Sequence, residues 1–192
     1  MTSAEREGVK LKRWTRAEFE QTALILYQEH LELVEGDVID KKGETQRHQA
    51  SQELLSKWLL GAFGTKRVLR EARIDVAPED NPRNEPEPDL MALNRDMNYF
   101  CGTNPGPKDL LLVIEVADER TLGSDFHIKG PLYARAAIVE YWLLDIAGCR
   151  MIVHRDPQEG RYRYVMAYSA EEDLAPLAAP GSFLRVADAF AL

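Results

Sequence analysis

The sequence predicts an α/β (or α+β) fold, with one central mixed β-sheet flanked by helices. Three observations carry that prediction. Leu110–Ala117 is an apolar run of strand length without alternation, the mark of a strand buried on both faces. Apolar stripes at helical spacing occur in two segments upstream of it. Further strand-length segments follow it, so strands, a helix and more strands alternate along the chain.

At 192 residues the chain is long enough for one good core, and 1–192 reads as a single domain with a polar, flexible stretch over 1–13. No apolar run reaches the roughly 18 residues of a membrane span. MTSAEREGVKLKR at the start has no apolar h-region, so no secretory signal is expected. Cys101 and Cys149 lie in unrelated contexts without metal-ligand spacing, which suits reduced thiols in a cytoplasmic protein. Twenty-four basic against 32 acidic residues give a net charge of −8. That balance argues against a protein that coats nucleic acid non-specifically, while local basic contacts stay open.

In chain order, Arg16–Gln28 should be a helix. Thr15 and Glu18 have capping-box spacing, Trp14 and Phe19 sit at the staple positions, and Phe19, Ala23, Leu26 and Tyr27 form its stripe. LELV and DVID around Glu35-Gly36 predict a hairpin with a two-residue turn, and Glu32 lies in its first strand. A longer helix is expected over Thr45–Ala62, with Leu55, Trp58, Leu59 and Ala62 on one face and Gly61 or Gly64 as its stop. His48 shares that face one end up. Val68–Val76 alternates like a half-exposed strand.

Pro78–Pro88, with four prolines, reads as a loop into a short strand at Leu90–Leu93, and Asn94–Lys108 as a second loop. After Leu110–Ala117, Ser124 or Asp125 can cap a helix bearing Lys129, Tyr133 and Ala136, although Gly130-Pro131 lies inside it. Glu140–Ile146 is another apolar strand. Met151–His154 and Tyr162–Tyr168, separated by DPQEG, predict a closing hairpin, and the tail is weakly patterned.

The chemistry centres on Asp89 and Glu115. Glu115 interrupts the apolar run, where an unpaired carboxylate is costly. Two carboxylates entering a sheet core suit magnesium, which keeps several waters and needs only one or two protein acids. The other reading is an ion pair for Glu115 and a strand cap for Asp89; spacing alone leaves the two about even. Lys129 can position water and stabilise charge on a phosphate, or simply pair with Asp125 at i,i+4 on a helix surface. Without a cation, Asp89 and Glu115 should repel and raise at least one pKa. His30, His127 and His154 lack ligand spacing, which disfavours a histidine zinc site. No phosphate-binding glycine loop, Gly-x-Ser-x-Gly elbow or Cys-x-x-Cys pair is present.

At these residues the chain resembles the PD-(D/E)XK nuclease superfamily and, more narrowly, its Uma-type restriction endonuclease family. Pro88-Asp89 is followed by Glu115-Val116-Ala117. The narrower likeness rests on ELVEG at Glu32–Gly36, His48, EPDL at Glu87–Leu90 and VIEV at Val113–Val116. Asp125, Lys129, Tyr133 and EYWLLD at Glu140–Asp145 complete it. Ala117 stands where the superfamily has a lysine, and the resemblance implies that Lys129 has taken over that role from the next helix. Asp118-Glu119 replaces the family's usual Ser-Pro, and Ala137 its usual glycine.

The resemblance implies a restriction-endonuclease-like fold and a Mg2+- or Mn2+-dependent endonuclease that hydrolyses DNA. Asp89 and Glu115, with the backbone carbonyl of Val116, would hold the metal. Asp89, Glu115 and Lys129 would be catalytic, with Glu32, His48, Asp125 and Tyr133 as secondary site residues. A homodimer is expected, because two sites are needed to cut two strands. The alternative is a catalytically silent member that binds nucleic acid or a protein through the same cleft.

Overall fold

The computed structural model describes residues 12–26, 30–41 and 45–190, with backbone only over 23–26. The first helix, α1, spans Arg16–Leu26. Its predicted capping box is present: Thr15 N–H donates to Glu18 Oε2 at 2.9 Å, and Glu18 N–H donates to Thr15 Oγ1 at 3.3 Å. Ala23, Leu26 and Tyr27 of the expected stripe lie outside the described side chains. So do residues 1–11 of the expected flexible stretch; Lys12 and Arg13 pair with Glu18 and Asp37.

The hairpin follows as predicted, with β1 at Leu31–Val34 and β2 at Asp37–Asp40. Glu35 and Gly36 both take positive φ (51° and 81°), the twist that suits a two-residue hairpin turn. Helix α2 spans Gln46–Phe63; Thr45 Oγ1 accepts from His48 N–H, and Gly64 ends the helix at φ 84°.

The central sheet has six strands: β3 (Val68–Arg70), β4 (Leu90–Leu93), β5 (Leu110–Ala117), β6 (Glu140–Asp145), β7 (Arg150–Gln158) and β8 (Arg161–Ser169), in that spatial order. All neighbours are antiparallel except β5 and β6, which are joined by a helical crossover. We label that crossover α3. It runs as an α-turn Leu122–Ser124, a π-turn Asp125–Lys129 and an α-helical stretch Gly130–Arg135. A small ribbon, β9 (Asp173–Leu174) with β10 (Leu184–Arg185), closes the chain. Among the described residues no helix is long and apolar enough to cross a membrane.

Helices cover both faces of the sheet. Leu55 and Leu59 of α2 pack with Ile114, Val116 and Trp142, and Trp58 stacks on Trp142 at 5.5 Å. On the other face Leu132 and Tyr133 of α3 pack with Val113, Tyr141 and Leu143. Truncating a fully buried leucine such as Leu55 to alanine typically costs about 2–5 kcal/mol, so these two layers fix the sheet that carries the site.

Three element boundaries depart from the sequence reading. Val68–Val76 is not one strand: β3 ends at Arg70, because Glu71 turns to φ 45°. Ile74 and Val76 remain buried, but Ile74 N–H and Asp75 N–H bond to the carbonyls of Pro86 and Pro105 in the flanking loops instead of a strand ladder. In the closing hairpin, Asp156, Pro157 and Gln158 belong to β7, and the turn shrinks to Glu159-Gly160, both at positive φ. The crossover helix starts at Leu122 rather than at a Ser124 or Asp125 cap. Ala137, where the Uma-type pattern has glycine, adopts φ 57° and turns the chain into β6.

His154 lies in the aromatic layer behind the site, stacked on Tyr141 at 4.8 Å and edge-on to Phe126 at 5.4 Å. Burial lowers its pKa to about 4, against mild support from backbone groups of Tyr141 and Ile152. The unfolded chain therefore binds a proton between pH 6.5 and about 4 that the folded chain refuses. This stabilising term is full above pH 6.5 and falls by about 3 kcal/mol as pH drops through that window. In denaturant titrations at pH 7.5, 5.5 and 4.5, His154→Phe should lose less stability on acidification than wild type. Parallel pH dependences would show that His154 does not carry this term.

Candidate active site

β4 and β5 set the two central acids by register. Leu90 pairs with Ile114, so one residue further out Asp89 stands opposite Glu115. Asp89 and Glu115 are 2% and 1% exposed. The proline-rich loop before Asp89 is pinned by the hairpin: Leu33 and Glu85 exchange backbone hydrogen bonds of 3.2 and 2.8 Å. Glu32 then accepts from Glu87 N–H at 3.1 Å through Oε2.

The local geometry of α3 brings Asp125 and Lys129 inward. Pro131 has no N–H, and in a regular helix its ring would meet the carbonyl four residues back. The helix widens instead, so that Gly130 N–H bonds to Asp125 O, five residues back. The ammonium of Lys129 is buried against three carboxylates: Glu32 Oε1 at 2.9 Å, Glu115 Oε1 at 3.0 Å and Asp125 Oδ1 at 3.5 Å. Tyr133 Oη donates to the same Glu115 oxygen at 2.7 Å. Val116 N–H donates to Asp89 Oδ2 at 2.7 Å, and His48 Nε2 lies 3.4 Å from that oxygen.

All the residues singled out from the sequence therefore converge: Glu32, His48, Asp89, Glu115, Val116, Asp125 and Lys129 line one cavity of about 240 Å³, and Tyr133 supports it from behind. Glu32, which spacing alone placed only in a hairpin strand, is buried and holds Lys129; the surface-pair reading of Lys129 with Asp125 is corrected, since both are buried. Sequence reasoning missed Lys41, whose ammonium bonds to Asp89 Oδ1 at 2.6 Å and to the Glu87 carbonyl at 2.9 Å. A signal for it existed. Ile39 pairs with Glu32 in the hairpin, and strand alternation then puts Lys41 on the face of Ile39 and Glu32.

Six carboxylates (Glu32, Asp40, Asp89, Glu115, Asp118, Asp125) and three cationic side chains (Lys41, Arg120, Lys129) line the cavity, a formal surplus of three negative charges. Burial, and then repulsion from Asp89 and Asp125, pushes the Glu115 pKa up to about 8 despite Lys129. Asp125 rises to about 6 by burial, with Glu32 and Asp89 adding to it. Asp89 goes the other way. Burial opposes its charge, but Lys41 and His48 more than offset this and hold it well below the usual carboxylate range. The expected repulsion thus appears at Glu115 alone. Lys129 is raised well above the ordinary lysine value by its three acids, against burial, so it stays cationic.

Comparison with known proteins follows the same lines. The family model described as "Uma2: Putative restriction endonuclease" matches residues 16–187. A solved structure, that of a putative nuclease belonging to DUF820 from Anabaena variabilis, superposes with a TM-score of 0.66. The likeness covers 91% of this chain and 96% of that one at 16% identity, and is one of fold. No curated protein matches this sequence.

Proposed function

The chain belongs to the Uma2 family, and from that premise we propose that it is a divalent-metal-dependent endonuclease hydrolysing DNA phosphodiester bonds. The observation that carries this reading is the pairing of Asp89 with Glu115 across β4 and β5, with the Lys129 ammonium on Glu115. The donor set fits Mg2+ or Mn2+. It is all oxygen, and the surplus of negative charge around it favours a divalent cation. Among the described residues no three His, Cys, Asp or Glu side chains converge to hold a metal ion. Asp89, Glu115 and the carbonyl of Val116 would hold it, and water would complete its shell. When bound, the metal supplies Lewis-acid polarisation of the phosphate and a lowered pKa for bound water.

The protein's own groups do the rest. Lys129 is a fixed cation, so it orients water and stabilises charge developing on phosphate oxygens; it is not the proton acceptor. Tyr133 fixes the Glu115 rotamer through the 2.7 Å bond, and His48 with Val116 N–H fixes Asp89. Glu32 and Asp125 hold Lys129 in place. We read residues 1–192 as one domain acting as a homodimer. A cytoplasmic setting suits the free, exposed thiols of Cys101 and Cys149. The Lys41–Asp89 ion pair favours a second reading, a silent binding module whose cleft is neutralised from within.

Incubation of plasmid and single-stranded DNA with Mg2+, Mn2+ or chelator tests the proposal, and cleavage is expected only with metal. A melting experiment separates the two readings without substrate. If the dissociation constant is of millimolar order, 10 mM Mg2+ at matched ionic strength should stabilise wild type by roughly 1.4 kcal/mol. For a domain of this size that is roughly 3–6 °C in Tm. Asp89→Asn should lose the shift and, because Lys41 loses its partner, should melt lower without metal. An equal response of both proteins to Mg2+ would mean that Asp89 does not hold it. Light scattering that returns a monomer would exclude the dimer and leave single-strand nicking.

A further inference from the structure

Among the charged groups of the cavity that neither the sequence motifs nor the mechanism above employs, Lys41 is the one bonded directly to a central acid. It comes from the hairpin rather than from the sheet or α3, where the other residues around the two acids mostly arise. Its side chain is 11% exposed, far below what is usual for lysine. The oxygen it occupies matters most. Asp89 Oδ2 already accepts the Val116 N–H at 2.7 Å and faces His48. Oδ1 is therefore the oxygen that remains for a cation, and the Lys41 ammonium sits on it at 2.6 Å. The second anchor of Lys41, the Glu87 carbonyl, is a neutral group. An ammonium and a divalent ion both at bonding distance from Oδ1 would repel each other at close range, so entry of one favours departure of the other.

We propose that Lys41 is a tethered competitor for the metal: it neutralises Asp89 in the metal-free protein and is displaced from Oδ1 when a divalent cation enters. The inference rests on the metal-dependent reading of this site and adds its regulation. The physical logic is one of exchange. A fully buried Asp89 without a counter-ion would cost several kcal/mol, so Lys41 keeps the apo fold intact and sets the metal concentration at which the site loads. Asp40, Asp118 and Arg120 line the same cavity, so a displaced Lys41 ammonium would have carboxylates within it to turn to.

Two measurements on the full chain test it. In wild type, Lys41 should resist acetylation by acetic anhydride without metal and become reactive with 10 mM Mg2+, read by mass spectrometry. Lys129 should stay protected in both states. In isothermal titration calorimetry with Mn2+ at fixed ionic strength, Lys41→Met should bind about tenfold more tightly than wild type, a difference of about 1.4 kcal/mol. Lys41→Arg, which keeps the competing charge, should stay near wild type. The labelling arm needs no variant, so it stands if Lys41→Met fails to fold. Wild type that binds Mn2+ with Lys41 still protected and Lys41→Met no tighter would overturn the displacement alone. Wild type that binds neither Mn2+ nor Mg2+ would overturn the metal reading itself, and this inference with it.

Discussion

Asp89→Ala and Glu115→Ala are each expected to lower metal-dependent DNA cleavage by about 10³-fold or more, the scale of several kcal/mol of lost transition-state stabilisation. The two acids stand opposite each other on β4 and β5 and share one cavity, so neither can hold a metal alone. Their effects on folding should differ. Glu115→Ala removes a carboxylate whose pKa is already pushed up to about 8, which relieves repulsion on Asp125 and Asp89; Tyr133 Oη loses its acceptor, but Lys129 keeps Glu32 and Asp125. Asp89→Ala strands Lys41 and frees the Val116 N–H, and should be the less stable of the two. Plasmid cleavage at a temperature where circular dichroism shows both variants folded is the check. Wild-type turnover by folded Glu115→Ala would remove Glu115 from the mechanism.

Much of this site was legible because a strand buried on both faces has no place for an unexplained carboxylate. Glu115 inside Leu110–Ala117 was visible on that ground alone, and Asp89 before Leu90–Leu93 followed once the two strands were paired. What stayed hidden depended on tertiary contact. Glu32 sits in a four-residue strand whose burial comes from the loop at Glu85–Asp89 laid over it, which no hydrophobic period records. Lys41 was missed for the same reason: its alternation with Ile39 is readable, but points to the site only once Glu32 is known to face inward. The π-turn of α3 was half legible: Gly130-Pro131 announced a distortion, but not that it would aim Lys129 at three acids. Val68–Val76 misled because its alternation is real while its backbone partners are prolines on separate loops.

Lys129→Met should be the most destabilising single change at the site, beyond its effect on turnover. The sequence alone offers a water-positioning lysine or a helix-surface partner of Asp125. In the fold its ammonium is the shared counter-ion of Glu32, Glu115 and Asp125 at 2.9–3.5 Å, and all four groups are buried. Removing one partner of a buried ionic cluster costs about 3–5 kcal/mol, which for a chain of this size lowers Tm by roughly 6–20 °C.

The deficit should depend on pH in a defined direction. Without Lys129 the buried acids repel, and the pKa values of Glu115 and Asp125 climb further from about 8 and about 6. The folded variant then takes up protons that the unfolded chain does not hold, so its stability relative to wild type improves as pH falls from 8.5 to 6. Melts of wild type and Lys129→Met across that range, with and without Mg2+, make the measurement. Cleavage should remain lost at temperatures where the variant is folded, because the cation that stabilises phosphate charge is gone. A variant that melts with wild type at every pH would show that Lys129 is not the counter-ion that holds these acids together.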